Sequence, residues 1–72
     1  MKLDFNEKQV ALLQKIGFEF DVLGDLTDEQ ILEINEKVED YFARYGITPK
    51  DEVNAVGLVC ESIIDLISDL PD

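Results

Sequence analysis

The side chains that could do chemistry in this chain are one thiol and seventeen carboxylates, and no histidine accompanies them. Nucleophilic catalysis by Cys60 needs a base that withdraws the thiol proton, and histidine is the usual base. Cys60 also falls on an apolar helical stripe, which favours a buried structural role. Zinc and iron sites need histidine or clustered cysteine. The sequence therefore predicts no nucleophilic site and no metal or other cofactor.

The carboxylates alone could form a calcium site or an acid–base pair. The acid-rich stretch 21–33 does not fit a calcium-binding loop, because Leu23 and Leu26 stand where the loop needs a ligand and its turn glycine. Acid–base catalysis needs one carboxyl group desolvated in a cleft, and a chain of 72 residues has little volume for one. A divalent-dependent enzyme with loosely held magnesium is the weakest hypothesis. We expect a protein that is not an enzyme.

The charge balance limits the kinds of partner. Six basic side chains against seventeen acidic ones give a net charge of −11. Direct binding to nucleic acid or to an anionic membrane is not expected, because both depend on lysine and arginine at phosphates. Asp4 and Glu7 interrupt the place of a signal peptide, and charges break the apolar stretch 53–70, so we expect neither a leader nor a membrane span. The single cysteine agrees with a cytoplasmic protein.

Two helices are predicted from their start and stop signals. Capping boxes, in which a cap residue and the glutamine three positions later exchange hydrogen bonds, mark starts at Asn6 and Thr27. Glycine in the left-handed conformation is expected to end these helices at Gly17 and Gly46. The predicted helices are about 7–16 and 28–45.

A third helix ends near residue 69 and has two candidate starts. Thr48 with Pro49 at the first helical position predicts a start at 49, whereas Asn54 as a cap predicts a start at 55. Gly57 weakens the first turn by about 1 kcal/mol relative to alanine. Three amphipathic helices with short connections predict one all-α domain over residues 1–72, a small antiparallel three-helix bundle.

The connector 17–26 alternates apolar and acidic residues at a period of two, with Phe18, Phe20 and Val22 on one side. We expect an extended lid whose phenylalanines cover the open end of the helical core. The alternative is a short two-stranded pairing with Leu3 and Phe5, but an isolated pair of strands is only marginally stable.

The outer face of the second helix is the candidate partner-binding surface. Four carboxylates fall within about 60° of one another at about 100° per residue and extend over about 16 Å. These four, which we call the acidic ridge, are Glu29, Glu33, Glu36 and Asp40. Favourable four-residue pairs with Lys37 and Arg44 alternate with repulsive pairs along it, which suits a solvated face as well as a docking surface for a basic partner. Leu32 and Leu58 point away from their apolar stripes and are contact candidates, although scattered surface leucines are common.

Size, acidity and helicity invite comparison with acyl carrier proteins. That family needs Asp-Ser-Leu at the start of its second helix, and the only serines here, Ser62 and Ser68, lie in the third. Three segments resemble instead a group of small bacterial proteins of unassigned function. They are 12–17, 26–30 (LTDEQ) and 60–65 (CESIID). The resemblance implies a bacterial source and no mechanism.

Two functions of different kinds follow from these observations. The first is a small non-enzymatic helical protein that acts by binding another protein. It could bind a basic partner, form a homodimer or serve as a regulatory subunit. The second is a nucleic-acid mimic whose acidic surface occupies the basic groove of a DNA- or RNA-binding protein. In the mimic, the acidic ridge would act together with Glu61, Asp65 and Asp69.

Overall fold

Three α-helices joined by irregular segments make up residues 1–71, the part of the chain that this computed structural model describes. They are α1 (Glu7–Ile16), α2 (Asp28–Tyr45) and α3 (Ala55–Ser68). Every pair of helices is in contact, and α2 and α3 share the most extensive interface. The prediction of an all-α three-helix bundle is therefore confirmed.

The starts of α1 and α2 are held by the predicted capping boxes. The Asn6 side chain accepts a hydrogen bond from the Gln9 backbone N–H at 2.8 Å, and the Gln9 side chain accepts one from the Asn6 N–H at 2.8 Å. Thr27 and Gln30 make the same exchange at 3.2 and 3.0 Å. Each box satisfies N–H groups that have no partner within the helix, so local sequence fixes both boundaries.

The two glycines that end α1 and α2 act for different reasons. Gly17 has a φ of 87°, a conformation that favours glycine. Gly46 has a φ of −89°, so the prediction of a left-handed end there is wrong. Gly46 instead lies against Gly57 of α3, where a Cβ on Gly57 would collide with the Gly46 carbonyl oxygen and lie 2.7 Å from the Val53 side chain. Both positions are glycine because the two backbones meet there.

The start of α3 follows the second of its two candidate signals. Asn54 is the cap, and its side chain accepts a hydrogen bond from the Gly57 N–H at 2.8 Å. The alternative start at Pro49 is wrong, because Thr48 stabilises a turn and does not cap α3. Its hydroxyl oxygen accepts from the backbone N–H groups of Lys50 and Glu52 at 3.3 and 3.2 Å. Residues 47–53 thus form a turn, closed by an antiparallel bridge between Ile47 and Val53.

The hydrophobic core draws on all three helices and on the segments before α1 and between α1 and α2. Its fully buried side chains are Leu13, Ile34, Val38, Cys60 and Ile63. Leu3 before α1, and Val22 and Leu26 of the connector, are also buried in it. None of the helices described here is long and apolar enough to cross a membrane.

The connector between α1 and α2 packs on the core without forming a strand. Phe18 and Phe20 are half-buried against the core, with ring centroids 5.4 Å apart. Within residues 1–71 the only isolated bridge joins Ile47 and Val53, so the alternative pairing of this connector with Leu3 and Phe5 is not formed. The first residues of the chain are held by backbone hydrogen bonds instead, since the Leu26 N–H donates to the Met1 carbonyl at 2.7 Å.

Candidate functional site

The acidic ridge lies on the side of α2 opposite to its buried face. Ile31, Ile34 and Val38 pack into the core and so fix the rotation of the helix. Three ridge carboxylates are exposed as a result, and Glu33 is half-buried. Leu32 is 57% exposed, which agrees with the prediction that it points away from the apolar stripe. The structure thus brings all five candidate residues onto one surface of one helix.

Two of the four ridge carboxylates have a basic neighbour one helical turn away. Glu33 lies 3.6 Å from the Lys37 ammonium, and Asp40 lies 3.1 Å from the Arg44 guanidinium. Glu29 and Glu36 make no ion pair with any residue in the range 1–71. Since exposed pairs of this kind stabilise a helix by only about 0.3–0.5 kcal/mol, they mainly redistribute charge along α2. The excess negative charge is left at Glu29 and Glu36, on either side of Leu32.

Lys37 connects the ridge to the segment that follows α1. Its ammonium group lies 4.9 Å from the centre of the Phe18 ring and 3.5 Å from the Gly17 carbonyl oxygen. A cation over an aromatic face is attracted by the ring quadrupole, and a carbonyl at a helix end also favours positive charge. Lys37 is therefore held by several weak contacts and draws Glu33 to the same side of α2.

Leu32 forms part of the wall of a groove that is lined by both apolar and polar side chains. The groove has a volume of about 370 Å³ and lies between the first half of α2 and the end of α3. Its apolar lining includes Ile31, Leu32, Ile67 and Leu70, and Asp28 and Asn35 contribute polar groups. Sequence periodicity missed it, because a helical wheel describes one helix and the walls of this groove come from two.

A second groove borders the ridge on its other side. It has a volume of about 520 Å³ and is lined by Ile16, Tyr41 and Tyr45 together with ridge residues and their basic partners. The two tyrosine rings lie 4.7 Å apart. The ridge is thus a line of carboxylates between two partly apolar grooves. Such a surface can bind a segment that carries both basic and apolar side chains.

The thiol and the other carboxylates are arranged differently. Cys60 is fully buried, as its place on the apolar stripe predicts, and burial raises the pKa of its thiol. No group of three or more acidic or thiol side chains within residues 1–71 is placed to hold a metal ion.

One buried polar contact was missed by sequence reasoning. The Gln9 side chain is buried, and its amide donates a hydrogen bond to the Ser62 hydroxyl at 3.0 Å, which in turn donates to the Val59 carbonyl at 2.7 Å. Gln9 therefore caps α1 and also joins α1 to α3. The signal in the sequence was that Gln9 shares a helical face with Leu12 and Leu13, but the capping box already accounted for it.

Fold and surface together define a three-helix protein with an acidic face set between two partly apolar grooves. No protein-family model, curated protein or solved structure matches the chain. Its resemblance to small bacterial proteins remains a prediction, and function has to be inferred from the surface of the molecule itself.

Proposed function

We propose that this chain is a non-enzymatic protein that binds another protein through the outer face of α2, and that the partner segment is basic. The observation that carries the proposal is the position of Leu32. It is 57% exposed, borders a partly apolar groove, and has Glu29 and Glu36 on either side without basic partners among the described residues. An apolar contact with charges at its rim is the common arrangement of a protein interface.

The two parts of this surface would contribute differently to binding. Complete burial of a leucine side chain contributes about 1.5–3 kcal/mol, so Leu32 would supply affinity. The carboxylates would select a basic partner and accelerate its approach, because a net charge of −11 attracts cations over a distance set by ionic strength. Binding is therefore expected to weaken at high salt without being lost altogether.

The proposal includes several finer features of the protein. We infer an antiparallel arrangement of helices in one domain, with the connector 17–26 as a lid over the core, supported by the packing of Phe18 and Phe20. A cytoplasmic location and a bacterial source accord with the single cysteine and with the resemblance stated above. Neither nucleic acid nor a membrane is a direct partner in this proposal, because few cations are present.

Affinity capture from a lysate of the host, washed at low and high salt, tests the proposal. The test variant reverses Glu33, Glu36 and Asp40 to lysine. The matched control reverses Glu61, Asp65 and Asp69, exposed acids of α3 and the residue after it, and so makes the same change in net charge. The partner should be lost from the test variant and kept by the control. Equal capture by both variants and by the unmodified protein would contradict the proposal, as would turnover on a panel of hydrolase and transferase substrates.

The second candidate function is nucleic-acid mimicry. Exposure of Glu61, Asp65 and Asp69 favours it, because these side chains add a second group of exposed carboxylates outside α2. In that case the captured partner would be a DNA- or RNA-binding protein, both triple variants would lose it, and added duplex DNA or RNA would displace it. Loss from the α2 variant alone supports the first proposal instead.

A further inference from the structure

A groove between α1 and α3 is bordered by basic rather than acidic side chains. It has a volume of about 350 Å³, and its apolar walls include Leu12, Tyr41, Val56 and Val59. The charged side chains that line it are Lys8 and Lys15, with no carboxylate among the described lining residues. In a chain with seventeen acidic and six basic side chains, this apolar and locally basic groove calls for an acidic, apolar occupant.

The outer face of α2 has the complementary pattern. Lys8 and Lys15 are seven residues apart on α1, about 10 Å at the rise of an α-helix, with Leu12 between them in the groove. Glu29 and Glu36 are also seven residues apart on α2, with Leu32 between them. None of these four charged side chains makes an ion pair within the range 1–71. The spacing matches whichever way the two helices run, because both patterns have their apolar residue near the middle.

We propose that the occupant of the groove is a second copy of this chain. The exposed Leu32 of one copy enters the groove between α1 and α3 of the next, and Glu29 and Glu36 pair with Lys8 and Lys15. This contact buries an exposed leucine and gives each unpaired charge an opposite partner. It does not depend on the basic partner proposed above, although that partner would compete for the same face of α2.

The geometry makes the contact a head-to-tail one. Leu32 and Tyr41 are nine residues apart on α2, which places them about 180° apart around the helix. Tyr41 borders the groove, so the groove and the Leu32 face point in opposite directions. A contact between two different surfaces is not closed by a two-fold axis, and each added copy leaves a free face and a free groove. Association is therefore expected to continue beyond a dimer.

Sedimentation equilibrium of the full chain tests this proposal, with concentrations from about 10 μM to about 1 mM, the range in which weak contacts are populated. The salt concentration is set to about 0.15 M, where a screening length of about 8 Å suppresses long-range repulsion between acidic copies. The average mass should rise above 8.2 kDa with concentration. Mass that stays at the monomer value throughout this range would overturn the proposal.

Reversing the charges of the groove and of the α2 face in separate variants identifies the surfaces that form the contact. Lys8→Glu with Lys15→Glu makes the groove acidic, and Glu29→Lys with Glu36→Lys makes the α2 face basic. Each double variant alone should associate at least about tenfold more weakly, because like charges then meet. An equimolar mixture should associate again, since a contact between the two variants joins opposite charges. A control with Lys2→Glu and Lys50→Glu carries the same charge as the first variant with its groove intact.

The outcomes of the exchange are distinct. Recovery in the mixture, with association kept in the control, supports the proposed contact. Failure of the mixture to associate, or equal weakening in the control, shows that self-association uses other surfaces and refutes it. Circular dichroism at 222 nm checks that every variant is folded, which is expected because all the replaced side chains are exposed.

Discussion

Replacement of Gly57 by alanine should destabilise the protein, although alanine is the better helix former. Gly57 is the third residue of α3, where alanine would gain about 1 kcal/mol in helix propensity. The added methyl group, however, would collide with the Gly46 carbonyl oxygen, which is backbone and cannot rotate away. That oxygen also accepts a hydrogen bond from the Asn54 N–H at 3.0 Å, next to the cap of α3.

The expected change in the free energy of unfolding follows from these opposing effects. Extra carbon atoms in a closely packed site typically cost about 1–3 kcal/mol, and loss of a hydrogen bond costs about 1 kcal/mol more. After the gain in propensity is subtracted, the free energy of unfolding should fall by about 1–3 kcal/mol. For a chain of 72 residues this is a large part of the total stability.

Urea unfolding followed by circular dichroism measures the change. The midpoint should fall for Gly57→Ala with little change in slope, because the surface exposed on unfolding is the same. Gly24→Ala is the comparison variant, since its Cβ would lie 3.3 Å from the Asp21 carbonyl oxygen, a tight contact but a longer one than at Gly57, so it should cost clearly less than Gly57→Ala. A Gly57→Ala protein as stable as the original would show that α2 and α3 do not approach as described.

Three further predictions concern stability. Gln9→Ala should lower the free energy of unfolding by about 1–2 kcal/mol in urea titrations, because it removes a cap and leaves Ser62 without its donor from α1; no change would argue against the buried contact. Asn54→Ala should cost about 1 kcal/mol and Thr48→Ala less, since only Asn54 caps a helix; the reverse order would contradict the start of α3. Burial raises the folded-state pKa of the Cys60 thiol above 9.0, so the unfolded chain loses the thiol proton at a lower pH than the folded protein does. The stabilisation that comes from the buried neutral thiol is therefore fully present below pH 9.0 and is lost as pH rises through the folded-state pKa. Iodoacetamide should therefore label Cys60 slowly in buffer and rapidly in urea, and equal rates would disprove its burial.

The parts of the fold that could be predicted from sequence are those set by neighbours in the chain. Asn6 and Thr27 each cap with a glutamine three residues away, so the starts of α1 and α2 follow from local patterns. The start of α3 was ambiguous because Thr48 and Asn54 both carry capping side chains. The turn at 47–53 excludes the start after Thr48, because the Thr48 hydroxyl already accepts two backbone hydrogen bonds there.

Features that depend on distant partners could not be predicted. From the sequence alone, Gly57 only weakens α3, whereas the structure shows that it packs against Gly46, eleven residues earlier. The sequence predicts only the capping role of Gln9, whereas the structure shows that its amide also donates a hydrogen bond to Ser62. For the candidate site, helical periodicity predicted which residues of α2 share its outer face, but not the grooves beside it, since their walls belong to separate helices.

Net charge by itself does not mark a binding surface on this protein, because most acids of α2 have a local explanation. Asp28 and Glu29 lie in the first turn, where the helix dipole favours negative charge. Glu33 and Asp40 have basic neighbours one turn away, and Glu39 accepts a hydrogen bond from Asn35 at 3.3 Å. Among the ridge carboxylates, only Glu36, one turn after the exposed Leu32, has no such explanation within residues 1–71. An exposed leucine is common by itself, and Leu58 is 60% exposed, but Leu32 also borders a groove and lies near Glu36, which makes no ion pair within residues 1–71. This combination supports the proposed contact with another molecule more strongly than the acidity does.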